Sequence, residues 1–256
     1  MGFQGTFKRF EKKYLVTEAQ FQALLARFEP YMAQDDYGLH TICNIYYDTE
    51  DFRLIRNSIR KPVYKEKLRL RSYGVAGADS PVYLELKKKV QGTVFKRRAQ
   101  AALADAMCYM DGGIPSDASQ ILREIAWFLR FYHPQPKVYI AYERLAMFGK
   151  EDSELRITFD AGIRCRTTGL DLTKGTQGEP IMGEGLRLME IKIPDAMPIW
   201  MCKLFTELRL YPCSFSKYGE YYKQYIAGGA QPAVSGRILT GTESLAKAIG
   251  GVIYAG

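Results

Sequence analysis

Apolar and polar residues alternate along most of this chain, and alternation puts successive side chains on opposite faces of an extended strand. Strands are expected at about 5–15, 41–48, 63–73, 81–90, 93–100, 137–148, 154–166 and 186–193. Between them the apolar spacing changes to three and four, which predicts helices at about 50–58, 101–110, 117–132, 198–210 and 216–226. One more helix follows the first strand. Thr17 reads as its N-cap, Gln20 completes a capping box, and Phe21, Leu24, Leu25 and Phe28 form its buried stripe before Pro30 ends it. Short turn signals, such as Gln91-Gly92 and Gly149 to Asp152, favour antiparallel neighbours, because parallel ones need long crossovers. Residues 168–185 carry five glycines and read as a long flexible loop, a candidate lid. The Gly/Ala/Pro-rich stretch 228–242 marks the end of a compact domain spanning 1–227, and 243–254 reads as a short helix in a C-terminal tail.

Parity decides which side chains share a face. Lys65, Lys67, Arg69 and Arg71 align on one side of 63–71, opposite Leu68 and Leu70. Glu85, Lys87 and Lys89 align in 82–90, Lys96 and Arg98 in 94–100, and Tyr142 and Arg144 in 140–144. Arg156, Thr158 and Asp160 share a face, as do Glu190 and Lys192, and Glu11 and Lys13. The polar faces are rich in cations and poor in carboxylates. An open sheet with one solvated face accommodates this pattern. So does a sheet that curls shut, with charges inward and apolar faces outward under helices. In the second arrangement buried cations need an anionic occupant, since uncompensated buried charge is costly. Arginine forks and lysine point charges suit phosphate oxygens.

Composition narrows the class. The chain has 256 residues, 47% of them hydrophobic and 25% charged, with a formal net charge of +8. That is an ordinary globular composition with room for a large core. No apolar run reaches the roughly 20 residues of a membrane helix. The five cysteines are scattered without a C-x-x-C pair, and His40 and His133 have no metal-ligand spacing, so neither a disulfide framework nor a structural zinc site is expected. The N-terminus has no apolar signal core. Gly2 and Thr6 meet a loose myristoylation pattern, but the second signal that stable anchoring needs is absent. Cytoplasmic location is the expectation. The basic residues have no accompanying stripe of exposed aromatics, which argues against nucleic acid as a partner.

Seven segments, in order, resemble one family: RFEKKY (9–14), YKEKLRLRSYG (64–74), VYLELKKK (82–89), YERLAMF (142–148), LRITFD (155–160), LMEIKIP (188–194) and SFSKYGEYY (214–222). Together they resemble the VTC domain, the polyphosphate polymerase domain of the vacuolar transporter chaperone family, within the triphosphate tunnel metalloenzyme superfamily. The resemblance implies an α+β fold: a closed antiparallel β-barrel tunnel of about eight strands with a basic lumen, flanked by helices. It implies ATP and polyphosphate, or another polyanionic phosphate, as ligands, with Mn²⁺ or Mg²⁺ as cofactor. A membrane partner is compatible with it, although this chain carries no membrane segment.

Carried over by motif, Lys13, Arg69, Arg71, Lys87, Arg144, Arg156 and Lys217 are the implied catalytic residues. Lys67, Lys96, Arg98, Tyr142, Lys192 and Ser216 are the implied phosphate-binding residues. Glu190 is the implied metal position, with Glu85 and Glu11 as assistants that could instead pair with neighbouring lysines. Hydrolytic tunnel enzymes often begin with an E-x-E-x-K strand, whereas Arg9, Glu11 and Lys13 stand here. One carboxylate fewer disfavours metal-activated water and favours transfer to a phosphate chain. The expected activity is transfer of the ATP terminal phosphoryl group to polyphosphate. A tunnel phosphohydrolase and a non-catalytic sensor of polyphosphate or inositol phosphates are the alternatives.

Overall fold

The computed structural model describes residues 10–91, 93–115, 118–193 and 196–228. The myristoylation pattern, Arg9 and the tail helix therefore lie outside the described residues. The strands are β1 (Phe10–Thr17), β2 (Met32–Gln34), β3 (His40–Asp48), β4 (Tyr64–Tyr73), β5 (Pro81–Val90), β6 (Thr93–Ala102), β7 (Gln135–Gly149), β8 (Arg156–Arg166), β9 (Glu179–Pro180) and β10 (Leu186–Ile193). The helices are α1 (Glu18–Phe28), α2 (Arg53–Ile59), α3 (Leu103–Met110), α4 (Gln120–Tyr132), α5 (Ile199–Glu207) and α6 (Lys217–Tyr221), the last continuing as a π-helical turn, Tyr222–Ala227. Every predicted strand and helix within the described residues is present. The two-residue β9 and three-residue β2 are additions too short to carry a periodic signal.

All strand pairs are antiparallel, and the main sheet runs β1-β10-β8-β7-β3-β4-β5-β6, with β2 on β7 and β9 on β8. The pairing of β5 with β6 extends to Val90↔Thr93, so the predicted hairpin turns in two residues. Gln91 adopts a φ of 47°, as such a turn requires.

Two apolar clusters cover the convex side. Leu68, Leu70, Leu84 and Leu86 pack under α3 and α4 through Leu103, Ala106, Ile125 and Phe128. Tyr14, Val16, Ile157, Phe159, Met189 and Ile191 pack under α1 and α5. The α1 capping box forms as the sequence predicts, with Thr17 Oγ1 accepting from the Gln20 N–H at 3.2 Å and Gln20 Oε1 accepting from the Thr17 N–H at 2.9 Å. Trp200 packs against the second cluster, while Trp127 is 48% exposed and stacks on Phe131.

Three features differ from the sequence expectation. Among the described residues no ladder joins β1 to β6, so the sheet is not a closed barrel. The free edge of β1 is taken instead by an antiparallel bridge, in which the Cys213 N–H donates to the Lys13 carbonyl at 2.7 Å. Second, the concave face is not charged throughout. α2 and α6 place Ile55, Tyr218 and Tyr221 against Ile42, Ile140 and Ile163. A bulge between β7 and β8 helps to produce this apolar half. The register shifts between Ala141 and Glu143, and Gly162 takes a φ of 55°. Asp160 faces inward before the shift, and Ile163 and Cys165 face inward after it.

Third, the glycine-rich loop is tethered rather than free. Leu172 is buried in the cluster under α3 and α4, and its carbonyl accepts from the Ala76 N–H at 3.0 Å. Arg166 binds the carbonyls of Gly169, Asp171, Gly175 and Gln177 and lies 3.6 Å from the Tyr139 ring centroid. Its later part reaches the other side of the sheet, where Ile181 is buried in the cluster with α2 and α6 and the Pro180 carbonyl accepts from the Tyr225 hydroxyl at 2.9 Å, so the loop is anchored along its length.

Candidate phosphate-binding site

Inward-facing residues of eight strands and α6 form two carboxylate-centred hubs and a lysine-rich cavity. The first hub is Glu85 on β5, 1% exposed. It accepts from Arg69 Nε at 2.7 Å and Arg98 Nε at 2.7 Å, and Lys96 Nζ lies 2.8 Å away. Arg71 stands 3.8 Å off and donates to Asn44 Oδ1 at 2.9 Å. Burial pushes the Glu85 carboxyl up, but Arg69, Arg71 and Lys96 outweigh burial and hold it well below the usual carboxylate range.

The second hub is Asp160 on β8, fully buried. Arg144 grips it through two bonds of 2.6 and 2.8 Å, and Lys217 donates at 2.5 Å. Burial raises the Asp160 carboxyl, and Lys217 and Arg144 more than offset this, leaving it depressed. Tyr142 lies between the hubs. Its hydroxyl accepts from Arg71 Nη2 at 3.2 Å, and its ring faces Arg144 and Lys217 at 5.2 and 4.4 Å. Burial pushes the phenol up, but Arg144, Arg71 and Lys217 bring it down to about 8.

Beyond the hubs, β1, β4, β5, α2 and the residues around α6 line a cavity of about 570 Å³. Eight lysines and two glutamates contribute to its wall, an excess of six positive charges. Lys13 sits between Glu11 at 3.4 Å and Glu190 at 3.5 Å. Burial lowers its ammonium, but the two carboxylates outweigh burial and raise it above the ordinary range. Glu11 also reaches Lys87 at 3.7 Å, which links β1 to β5 across the concave side. Lys192 lies 3.7 Å from Glu190. Lys67 Nζ donates to Ser216 Oγ at 3.0 Å, while the same hydroxyl accepts from the Gly219 N–H at 3.2 Å. Ser216 is therefore the predicted N-cap of α6 and also a neighbour of the cavity lysines.

All but one of the implied residues thus lie in the hubs, around the cavity or directly beside them. The exception is Arg156, which is exposed at the start of β8, opposite Lys192 in register, and donates to the Ser153 carbonyl at 3.4 Å. Sequence reasoning did not assign Asp160, Asn44, Lys61, Lys65 or Lys89. Parity had already placed Asp160, Lys65 and Lys89 on the same faces as the implied residues. No signal distinguished a hub carboxylate from a solvated one, because that depends on strands distant in sequence.

The three glutamates differ in their fitness for a metal. Among the described residues no group of three His, Cys, Asp or Glu side chains gathers as a metal site. Glu85 is saturated by cations and does not fit. Glu190 and Glu11 make only looser ionic contacts, of 3.4 to 3.7 Å. Thr158, opposite Glu190 in register, has a buried hydroxyl with no hydrogen-bond partner. This donor set fits a hard divalent cation that brings most of its oxygen ligands with it on phosphate. Burial pushes the Glu190 carboxyl up, while Lys13, Lys192, Lys217 and Arg144 keep it well below the usual range, so it is ionised and available at neutral pH.

A candidate adenylate cyclase from Bacillus halodurans has a similar structure, with a TM-score of 0.51 at 11% identity, covering 80% of this chain and 92% of its own. A candidate adenylate cyclase from Vibrio parahaemolyticus gives a TM-score of 0.46 at 15% identity, covering 85% of this chain and 98% of its own. At 11% identity the first likeness shows the fold alone. No curated protein matches the chain. The family model described as the VTC domain matches residues 8–226, which include every strand and every α-helix of the fold, and the chain belongs to that family.

Proposed function

We propose that this VTC domain is a phosphotransferase that moves the terminal phosphoryl group of ATP onto a polyphosphate chain in its basic cavity. The observation that carries the reading is the division of charge. Arginines are preorganised around buried carboxylates, next to a lysine-rich cavity with a large positive excess. Phosphoryl transfer asks the protein mainly for positioning and charge stabilisation. Arg69, Arg71, Arg98 and Arg144, fixed by Glu85, Asp160 and Asn44, orient the triphosphate with their remaining N–H groups. Lys13, Lys87, Lys96 and Lys217 neutralise the acceptor chain and the charge that develops on the transferred group. Tyr142 and Ser216 position their neighbours, and Lys192 and the exposed Arg156 supply charge at the edge. Glu190, with Glu11 and Thr158, would hold a divalent ion whose contribution is to neutralise phosphate oxygens. Arg9 in place of a first-strand carboxylate supports transfer over hydrolysis.

The test is incubation of the purified protein with ATP and Mn²⁺, reading polyphosphate, ADP and free phosphate. Chain growth with ADP release is expected. Phosphate release without growth would make the protein a hydrolase, and binding without turnover would make it a sensor. Glu190→Ala should abolish metal-dependent turnover yet retain tripolyphosphate binding. Full activity in that variant would remove the metal assignment.

A further inference from the structure

Lys67 differs from the inward-facing cations of the two hubs and of β1. Arg69, Lys96 and Arg98 have Glu85, Arg144 and Lys217 have Asp160, and Lys13 has Glu190 and Glu11. Among the described residues, Lys67 Nζ meets only a neutral hydroxyl, that of Ser216 at 3.0 Å. Its same-face neighbours on β4 are Lys65 and Arg69, and Lys87 is directly opposite on β5. β1 adds Lys13 on the far wall of the same cavity. The two carboxylates of that wall are already engaged, Glu11 by Lys13 and Lys87, and Glu220 by Lys223. Like charges facing each other across a ladder destabilise, and burial penalises the charged form further. Burial first, then Lys65, Lys87, Lys13 and Arg69, lower this amine to about 7.

We propose that Lys67 couples phosphate-chain binding to proton uptake, its amine taking a proton from solvent as the anion enters the cavity. The inference rests on the phosphate-binding reading of the cavity. No covalent bond changes. The proton comes from buffer, and the incoming phosphate oxygens supply the counter-charge that the empty cavity lacks. The sign follows directly. Below about pH 7 the amine is charged before binding, so no proton is taken up. Above it the amine is neutral when free and charged when bound, and affinity declines as pH rises. Lys96 and Tyr142 also titrate nearby, each at about 8, so the Lys67 contribution must be read as a difference between proteins.

The experiment is calorimetric titration with tripolyphosphate at pH 6.5 and pH 8 in buffers of different ionisation enthalpy. Wild type is compared with Lys67→Arg, which is charged at both pH values. At pH 8 wild type should take up close to one more proton per ligand than Lys67→Arg. Its affinity should fall more steeply between the two pH values, by a further factor of roughly ten. Lys67→Met, never charged, should also lose the extra uptake and show the shallower pH profile, at weaker affinity. Equal uptake in wild type and both variants would overturn the proposal while leaving phosphate binding intact. Failure of wild type to bind tripolyphosphate even at pH 6.5 would overturn the phosphate-binding reading and this inference with it.

Discussion

Asp160 is the residue on which two of the strongest cations depend. Its carboxylate is fully buried between Arg144 and Lys217. Asp160→Asn removes their counter-charge and should cost about 3–5 kcal/mol, read as a fall in the urea unfolding midpoint. Tripolyphosphate should restore more stability to this variant than it adds to wild type, because it supplies the missing charge. An unchanged midpoint would refute the hub's role. The pH dependence has a definite sign. Asp160 and Glu85 are both held below their unfolded values, so their stabilisation is present above the ordinary carboxyl range of about 4 and is lost as pH falls through the folded values. The wild-type midpoint should fall on acidification below about pH 4, and Asp160→Asn should show a shallower fall. Neither hub could be read from the sequence as a hub. Parity showed that Glu85 and Asp160 share the faces of the cations, but an acid on a polar strand face is ordinarily solvated. Its burial depends on which distant strands bring cations to it.

At the scale of elements, the sequence was most legible where local chemistry decides. The capping box at Thr17 and Gln20 and the apolar stripe of α1 are contained within a dozen residues, and both form. The two-residue turn at Gln91 is equally local. The loop 168–185 was misleading for a related reason. Five glycines suggest freedom, but glycine also lets a backbone fold tightly around a central group, and here Arg166 is that group. Arg166→Ala should release the loop. Tryptic cleavage at Lys174 should accelerate on the order of tenfold or more, since charge-assisted hydrogen bonds to carbonyls contribute about 1.5–3 kcal/mol each. Tripolyphosphate affinity should be unchanged, because no residue of the loop lines the lysine-rich cavity. A loss of affinity would return the loop to the role of a lid.

At the scale of the molecule, the net charge of +8 conceals an uneven distribution. Arg69, Arg71 and Arg98 gather at Glu85 and Arg144 at Asp160, whereas the cavity wall carries eight lysines against two glutamates. The Glu11–Lys87 contact crosses that cavity between two half-exposed side chains. Such a pair contributes little stability, so Glu11→Gln should move the unfolding free energy by less than about 1 kcal/mol. The same change removes a negative charge from the wall and should tighten metal-free tripolyphosphate binding. Unchanged affinity would mean that the anion does not enter this cavity. Binding should also weaken as salt rises, through screening.

The sequence by itself determined the elements, their antiparallel pairing through short turns, and the face on which each charge lies. These follow from side-chain alternation and local turn chemistry, which extend over only a few residues. Only the tertiary structure decided the rest. It showed that β1 is bridged by Cys213 instead of pairing with β6, that α2 and α6 fill half of the concave face, and that Arg156 remains outside. It also separated the cations held by carboxylates from cavity lysines such as Lys67, whose amine meets a hydroxyl instead. The physical reason is range. Periodicity reports a residue's own strand, whereas counter-charge, burial and the closure of a sheet are set by strands far apart in sequence.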